Sequence, residues 1–336
     1  MNPCSFRYPF SYPLESGKQL PGFTLAYHTY GQLNARQDNV IWICHALTAN
    51  SDPADWWEGL VGHSKLLDPE QYFIVCANML GSCYGSTYAL SPHPETNAPW
   101  FHDFPILTNR DIAGAFDLLC QHLGIDKIHL GIGGSLGGQQ LLEWAVMIPH
   151  RFQKIVPLAT NARHSPWGIA FNESQRMAIQ ADHTWCNKDP EAGMTGLGAA
   201  RSIALLSYRG YDAYQLTQLD QSSDLLEGYR ATTYQQYQGQ KLVNRFDAFA
   251  YWTLSKAMDS QHLGRGRGSA EEALSDIRAE ALVIAVDSDI LFPPSEQQFI
   301  ADHIPGARYH EISSHFGHDG FLIEVEAIQK ILEPFL

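Results

Sequence analysis

Apolar residues fall in short runs separated by amphipathic stretches. The runs cover residues 39–47, 72–80, 128–133, 155–160, 281–287 and 308–312. Most are rich in Ile, Val and Leu and lack the strict alternation of a sheet with one wet face. This predicts strands of a mostly parallel sheet covered on both sides. Between them, apolar positions recur at helical spacing over residues 109–123, 139–148, 295–303 and 319–332, with Thr108 and Asn109 as caps of the first. Residues 23–30 predict an antiparallel edge strand, a frequent addition to such sheets.

The strand rhythm stops after residue 160 and resumes only near 281. The interval turns to helix formers, with helices expected at 173–182, 197–208, 229–239 and 246–257. Because the later strands are needed to complete the first sheet, residues 1–160 and 281–336 are expected to form one α/β core, with 161–280 inserted as a helical cap. Gly264-Arg265-Gly266-Arg267-Gly268 reads as a flexible return to the core, followed by a helix capped by Ser269 and Glu272.

Composition narrows the functional classes. With 336 residues, 45% of them hydrophobic, the chain can bury a large core, and no run of about 18 apolar residues suggests a membrane span. Residues 1–12 lack the basic-then-apolar layout of a secretory signal, so a soluble cytoplasmic protein is expected. Cys4, Cys44, Cys76, Cys83, Cys120 and Cys186 are scattered without a C-x-x-C pair and read as reduced thiols. A formal net charge of −14 argues against nucleic acid or anionic membrane as partner. It also means that an anionic substrate needs a local basic patch.

The chemistry centres on Gly133-Gly134-Ser135-Leu136-Gly137, a G-x-S-x-G pattern between a strand-like run and a helix-like one. Small neighbours permit the sharp, strained turn that leaves a serine hydroxyl standing clear at the sheet edge. Serine at its own pKa is a weak nucleophile and needs a base oriented by a third group. In this architecture an acid and then a histidine follow in chain order. His318 sits in the loop after the last strand, and Asp287 and Asp289 both sit where the preceding strand ends. The pattern does not separate the two aspartates. An oxyanion needs two converging N–H groups, for which Leu136 and Leu47, the latter in His45-Ala46-Leu47-Thr48, are the best placed. His315 and His318 lack a third ligand at metal-site spacing, so no metal is expected.

These residues, together with the run Asn78 through Thr87, Gly317-His318-Asp319, Gly196 through Arg201, Ser207-Tyr208-Arg209, and Gln238-Gly239-Gln240-Lys241 before Arg245-Phe246-Asp247, resemble the homoserine O-acetyltransferase family of α/β-hydrolase-fold acyltransferases. The blocks occur in order along nearly the whole chain. The resemblance implies an α/β-hydrolase fold and acyl transfer from acetyl-CoA, as co-substrate, to the hydroxyl of L-homoserine in methionine biosynthesis by a homodimer. It assigns Asp289 to the triad with Ser135 and His318, with Asp287 in support, and it assigns Arg201, Tyr208 and Asp319 to the amino-acid acceptor. A guanidinium suits an α-carboxylate and a carboxylate suits an α-ammonium. Two positions depart from the family pattern: Leu136 replaces a common methionine, and Tyr88-Ala89 replaces a common glycine-proline. The second departure leaves acetyl and succinyl donors both open. Serine as acceptor and water as acceptor, which would make the protein an esterase or thioesterase, are the alternatives.

Overall fold

The computed structural model describes residues 2–336. Eight strands form one sheet: β1 (Cys4–Tyr8), β2 (Phe23–Tyr30), β3 (Val40–Cys44), β4 (Phe73–Ala77), β5 (Ile128–Gly134), β6 (Phe152–Leu158), β7 (Glu280–Val286) and β8 (Arg308–Ile312). Their spatial order is β1-β2-β4-β3-β5-β6-β7-β8. β2 runs antiparallel to both β1 and β4, and every later pairing is parallel. The expected antiparallel strand is therefore present but is not the edge. β1 covers it, with Phe6 opposite Leu25. Only Phe6 of β1 is buried, so this strand carries almost no apolar signal.

All five residues of β3 are buried. Its pleat sends Val40, Trp42 and Cys44 into one apolar core and Ile41 and Ile43 into the other, which is why the run reads as continuous rather than alternating. On the first face, Trp42 meets Trp144 edge-on with ring centroids 5.0 Å apart.

The helices of six or more residues are α1 (Asn109–His122), α2 (Leu136–Met147), α3 (Pro166–Gln180), α4 (Met194–Gln218), α5 (Arg230–Val243), α6 (Ala248–Asp259), α7 (Ala270–Ser275), α8 (Pro294–His303) and α9 (Val325–Leu332). Thr108 caps α1 and Ser269 caps α7, each in a reciprocal capping box with the residue three positions on, Asp111 and Glu272. α2 starts three residues earlier than its periodicity suggests, because Gly137 and Gly138 weaken the helical signal there. The last helix is broken. A 3-10 turn at Gly317–Asp319 and a single turn at Gly320–Ile323 precede α9, and Glu324, with φ −82° and ψ 50°, interrupts them.

Between β6 and β7 the chain adds helices α3 to α7 and no strand to the sheet. α4 packs against α3 and α5, and it kinks at Gly210, whose φ of 61° is left-handed. The glycine-arginine stretch that follows α6 is not the flexible return its composition suggests. Arg265 is held by Glu15 through two contacts of 2.8 Å, and Arg267 by the buried Glu143 at 2.6 Å. Among the described residues no helix is long and apolar enough to cross a membrane, and the six cysteines are free.

Candidate active site

The carboxyl ends of β3, β5, β6, β7 and β8 share one edge of the sheet, and the predicted site residues gather along it. Ser135 occupies the turn between β5 and α2 with φ 57° and ψ −126°. A non-glycine residue held there costs about 1–3 kcal/mol, so the surroundings must impose it. They do so through the backbone: the Ser135 N–H donates to the Leu158 carbonyl (3.0 Å), and its own carbonyl accepts from the Thr160 hydroxyl (2.7 Å). The glycine two positions on is a matter of space, since a Cβ on Gly137 would lie 2.1 Å from the Cys44 carbonyl oxygen.

His318 comes from the 3-10 turn after β8. Gly317, at φ 60°, lets the chain turn there, and a Cβ on it would stand 2.9 Å from the Tyr208 carbonyl oxygen. The imidazole stacks on Phe292 with centroids 5.0 Å apart. Its Nε2 lies 2.8 Å from the Ser135 hydroxyl and its Nδ1 2.6 Å from Asp289 Oδ2. A carboxylate only accepts, so the ring proton sits on Nδ1 and leaves Nε2 free to take a proton from the serine. The second Asp289 oxygen accepts the N–H groups of Leu291 (2.8 Å) and Phe292 (2.9 Å), which fix the carboxylate and satisfy its burial.

The two aspartates left open by the pattern are thus separated by geometry. Asp287 has no bond to the imidazole among the described residues, and its carboxylate accepts the Ser314 N–H (3.0 Å) at the root of the His318 loop. Ser288 binds the same loop, donating to the Ser314 carbonyl and accepting from the Gly317 N–H.

Above Ser135 lies a cavity of about 430 Å³ whose wall includes Leu47, Arg201, Tyr208, His318 and Asp319. Among the described residues, no acceptor takes the N–H of Leu47 or of Leu136, the first residue of α2. The Arg201 guanidinium lies over the Tyr208 ring, 5.4 Å from its centroid, and no carboxylate among the described residues pairs with it. Burial raises the Tyr208 phenol above its usual pKa.

Three further residues at the site, quoted above only within the resemblance blocks, had no role assigned from the sequence. Arg209 donates from Nε to Asp319 Oδ2 at 2.9 Å. Positions 201, 208 and 209 share a helical face at spacings of seven and eight, a signal that was present and unused. Lys241 and Arg245 also line the cavity, supplying the basic patch that an anionic substrate would need in so acidic a chain. Among the described residues the one group with metal-ligand proximity is His63, Asp68 and Glu70, which does not line this cavity. Both Asp68 oxygens there already accept backbone N–H groups.

A family model of the alpha/beta hydrolase fold matches residues 39–325. The homoserine O-acetyltransferase of Cyclobacterium marinum is 53% identical over 325 residues, covering 96% of this chain and 92% of its own. The chain belongs to the homoserine O-acetyltransferase family. A solved member of that family, from Bacillus anthracis, is 26% identical with a TM-score of 0.92, covering 99% of this chain and 96% of that one. A solved esterase, 22% identical with a TM-score of 0.88 over 98% of this chain and 99% of that one, shares the fold. Family membership therefore does not rest on the fold, which solved esterases share, but on identity along the whole chain.

Proposed function

We propose that the protein transfers an acetyl group from acetyl-CoA to the side-chain hydroxyl of L-homoserine through an acetyl-Ser135 intermediate. In the first step Nε2 of His318 takes the Ser135 proton as Oγ attacks the thioester carbonyl. The C–S bond breaks as the protonated His318 gives that proton to the leaving thiolate. In the second step the homoserine hydroxyl passes its proton to Nε2 and attacks the acetyl carbon. Collapse returns the proton to Ser135 and releases O-acetylhomoserine. Asp289 holds the ring in the required tautomer and stabilises the imidazolium that forms in each step. The amides of Leu47 and Leu136 receive the oxyanion, a role supported by their lack of any other acceptor.

One observation carries the acceptor assignment: an unpaired guanidinium and a carboxylate face the same cavity as the nucleophile. In this reading Arg201 grips the α-carboxylate, the Asp319 carboxylate receives the α-ammonium, and Tyr208 backs Arg201. A hydrolase for simple esters has no use for both ends of an amino acid. Helices α3 to α6 act as a cap that excludes water, the competing acceptor. The name carried by the relatives supports acetyl as the acyl group and a place in methionine biosynthesis.

Six free cysteines fit a reducing cytoplasmic setting. Exposed Leu206, Tyr211 and Leu216 on α4, with Leu219 just beyond its end, support association of two copies through the cap.

The test is thiol release from acetyl-CoA with and without L-homoserine, read together with product mass. Release that requires homoserine and yields O-acetylhomoserine is expected. Release indifferent to homoserine would identify a thioesterase, and faster turnover with succinyl-CoA or L-serine would reassign donor or acceptor.

A further inference from the structure

The geometry points to Lys241 and Arg245 as the site that binds the phosphates of the acyl donor. This inference rests on the acyl-CoA reading above and names the residues that recognise the far end of that substrate.

The cavity is polarised from floor to rim. Ser135 and His318 are buried at its floor, whereas Lys241 and Arg245 are exposed where it opens. A volume of about 430 Å³ lies at the small end of the range that encloses drug-sized ligands, so a whole acyl-CoA cannot fit inside. With the thioester at Ser135, the nucleotide must project through the opening and past these two cations.

Both side chains are available. Lys241, in the last turn of α5, has no hydrogen-bond or ion-pair partner among the described residues. Arg245, just beyond that helix, uses one terminal nitrogen on the Thr48 carbonyl and the Tyr84 hydroxyl (2.7 Å), and the other only at 3.4 Å from the Thr48 hydroxyl. All three acceptors are neutral. Its Nε–H and one terminal N–H remain, and together these make a fork suited to a phosphate. Arg265, Arg267 and Arg209 are neutralised by Glu15, Glu143 and Asp319, whereas Lys241 and Arg245, like Arg201, pair with no carboxylate among the described residues. Stabilising the carboxyl end of α5 would account for one cation. It would not account for two unneutralised cations lining the cavity that holds the nucleophile, in a chain with a formal net charge of −14 that otherwise repels a polyphosphate.

Arg245 also steadies Thr48, the neighbour of Leu47, so its removal disturbs the chemistry as well as binding. Lys241→Gln is therefore the deciding variant, since Lys241 is exposed and holds nothing. Steady-state transfer to L-homoserine is measured for wild type and Lys241→Gln with acetyl-CoA, acetyl-dephospho-CoA and acetyl-pantetheine. The expected result is a KM for acetyl-CoA raised about tenfold in the variant, the size of one charge-assisted contact, with kcat held. The two enzymes should use acetyl-pantetheine alike. A smaller rise with acetyl-dephospho-CoA assigns Lys241 to the 3′-phosphate, and an equal rise assigns it to the pyrophosphate. An unchanged KM for acetyl-CoA, or an equal loss with acetyl-pantetheine, overturns the inference while leaving acyl transfer intact. Wild-type enzyme that transfers acetyl from neither CoA nor pantetheine overturns the underlying reading itself.

Discussion

Arg209 holds Asp319 by a 2.9 Å contact between its Nε and Oδ2, so the carboxylate adjoining His318 is already charge-paired before any substrate arrives. The pair joins α4 to the loop that carries the imidazole. In the proposed acceptor reading it fixes where the α-ammonium docks and leaves the second carboxylate oxygen to receive it. Both side chains are partly exposed, which limits what the pair contributes to stability.

Arg209→Met is accordingly expected to act on the acceptor half-reaction. KM for L-homoserine should rise about tenfold, a value set by one partly screened charge contact. The burst of thiol released from acetyl-CoA in the absence of homoserine should keep its amplitude. Stopped-flow thiol detection separates the two half-reactions, and loss of the burst would show that Arg209 instead supports the nucleophile.

Arg201 differs in having no carboxylate to release. Arg201→Ala is expected to raise KM for homoserine by about 100-fold, in line with loss of a charged, bidentate contact, and to increase the share of acetyl groups lost to water. Arg201→Lys should recover only part of this, since an ammonium cannot reproduce the fork. Measurement of product partitioning between O-acetylhomoserine and acetate checks both.

The two neighbouring aspartates give a direct comparison. Asp289→Asn leaves Nδ1 facing an amide that can accept or donate, so the ring tautomer is no longer fixed, and kcat is expected to fall by about 10⁴, the magnitude known for such a change in a serine triad. Asp287→Asn loses only part of an anchor on the Ser314 N–H and should cost less than about tenfold. Equal losses in kcat would contradict the assignment of Asp289.

A pH effect follows from Glu296, whose carboxyl burial pushes up to about 7 despite a hydrogen bond from Asn161. Its folded value lies above its unfolded one, so its contribution to stability is full below the unfolded value and is lost as pH rises through about 7. Glu296→Gln keeps an acceptor for Asn161 and removes the titration. Its Tm should exceed that of wild type by a few degrees at pH 8, with the difference closing towards pH 4.5. The buried imidazoles of His45 and His164 act in the opposite direction. Burial pushes each down to about 4, so the stability they contribute is full above their unfolded value and is lost as pH falls towards about 4.

What could be read from the sequence follows the physics of each element. β3 and β5 announced themselves because burial on both faces demands continuous apolar runs, whereas β1 has one buried residue and stayed hidden. Ser135 and His318 were legible because a strained turn and a loop histidine leave a fixed order and small neighbours in the sequence. The choice between Asp287 and Asp289 was not legible from pattern. Both follow the end of the same strand, and only the partner that each carboxylate finds in the fold distinguishes them. Lys241 and Arg245 stand in a block that carries the family resemblance, but the pattern gives them no role, because they lie some 40 residues beyond Arg201 and meet the site only through the packing of α5 against α4. Arg265 and Arg267 show the reverse: glycine neighbours imply freedom, yet long-range carboxylates hold them in place.

The most direct measurement is the intact mass of the protein after mixing with acetyl-CoA in the absence of acceptor. One acetyl group should appear on Ser135, be absent from Ser135→Ala, and disappear on addition of L-homoserine as O-acetylhomoserine forms. Acetyl transfer to homoserine that proceeds at the wild-type rate in Ser135→Ala, or with the acetyl group found on another residue, would contradict the account.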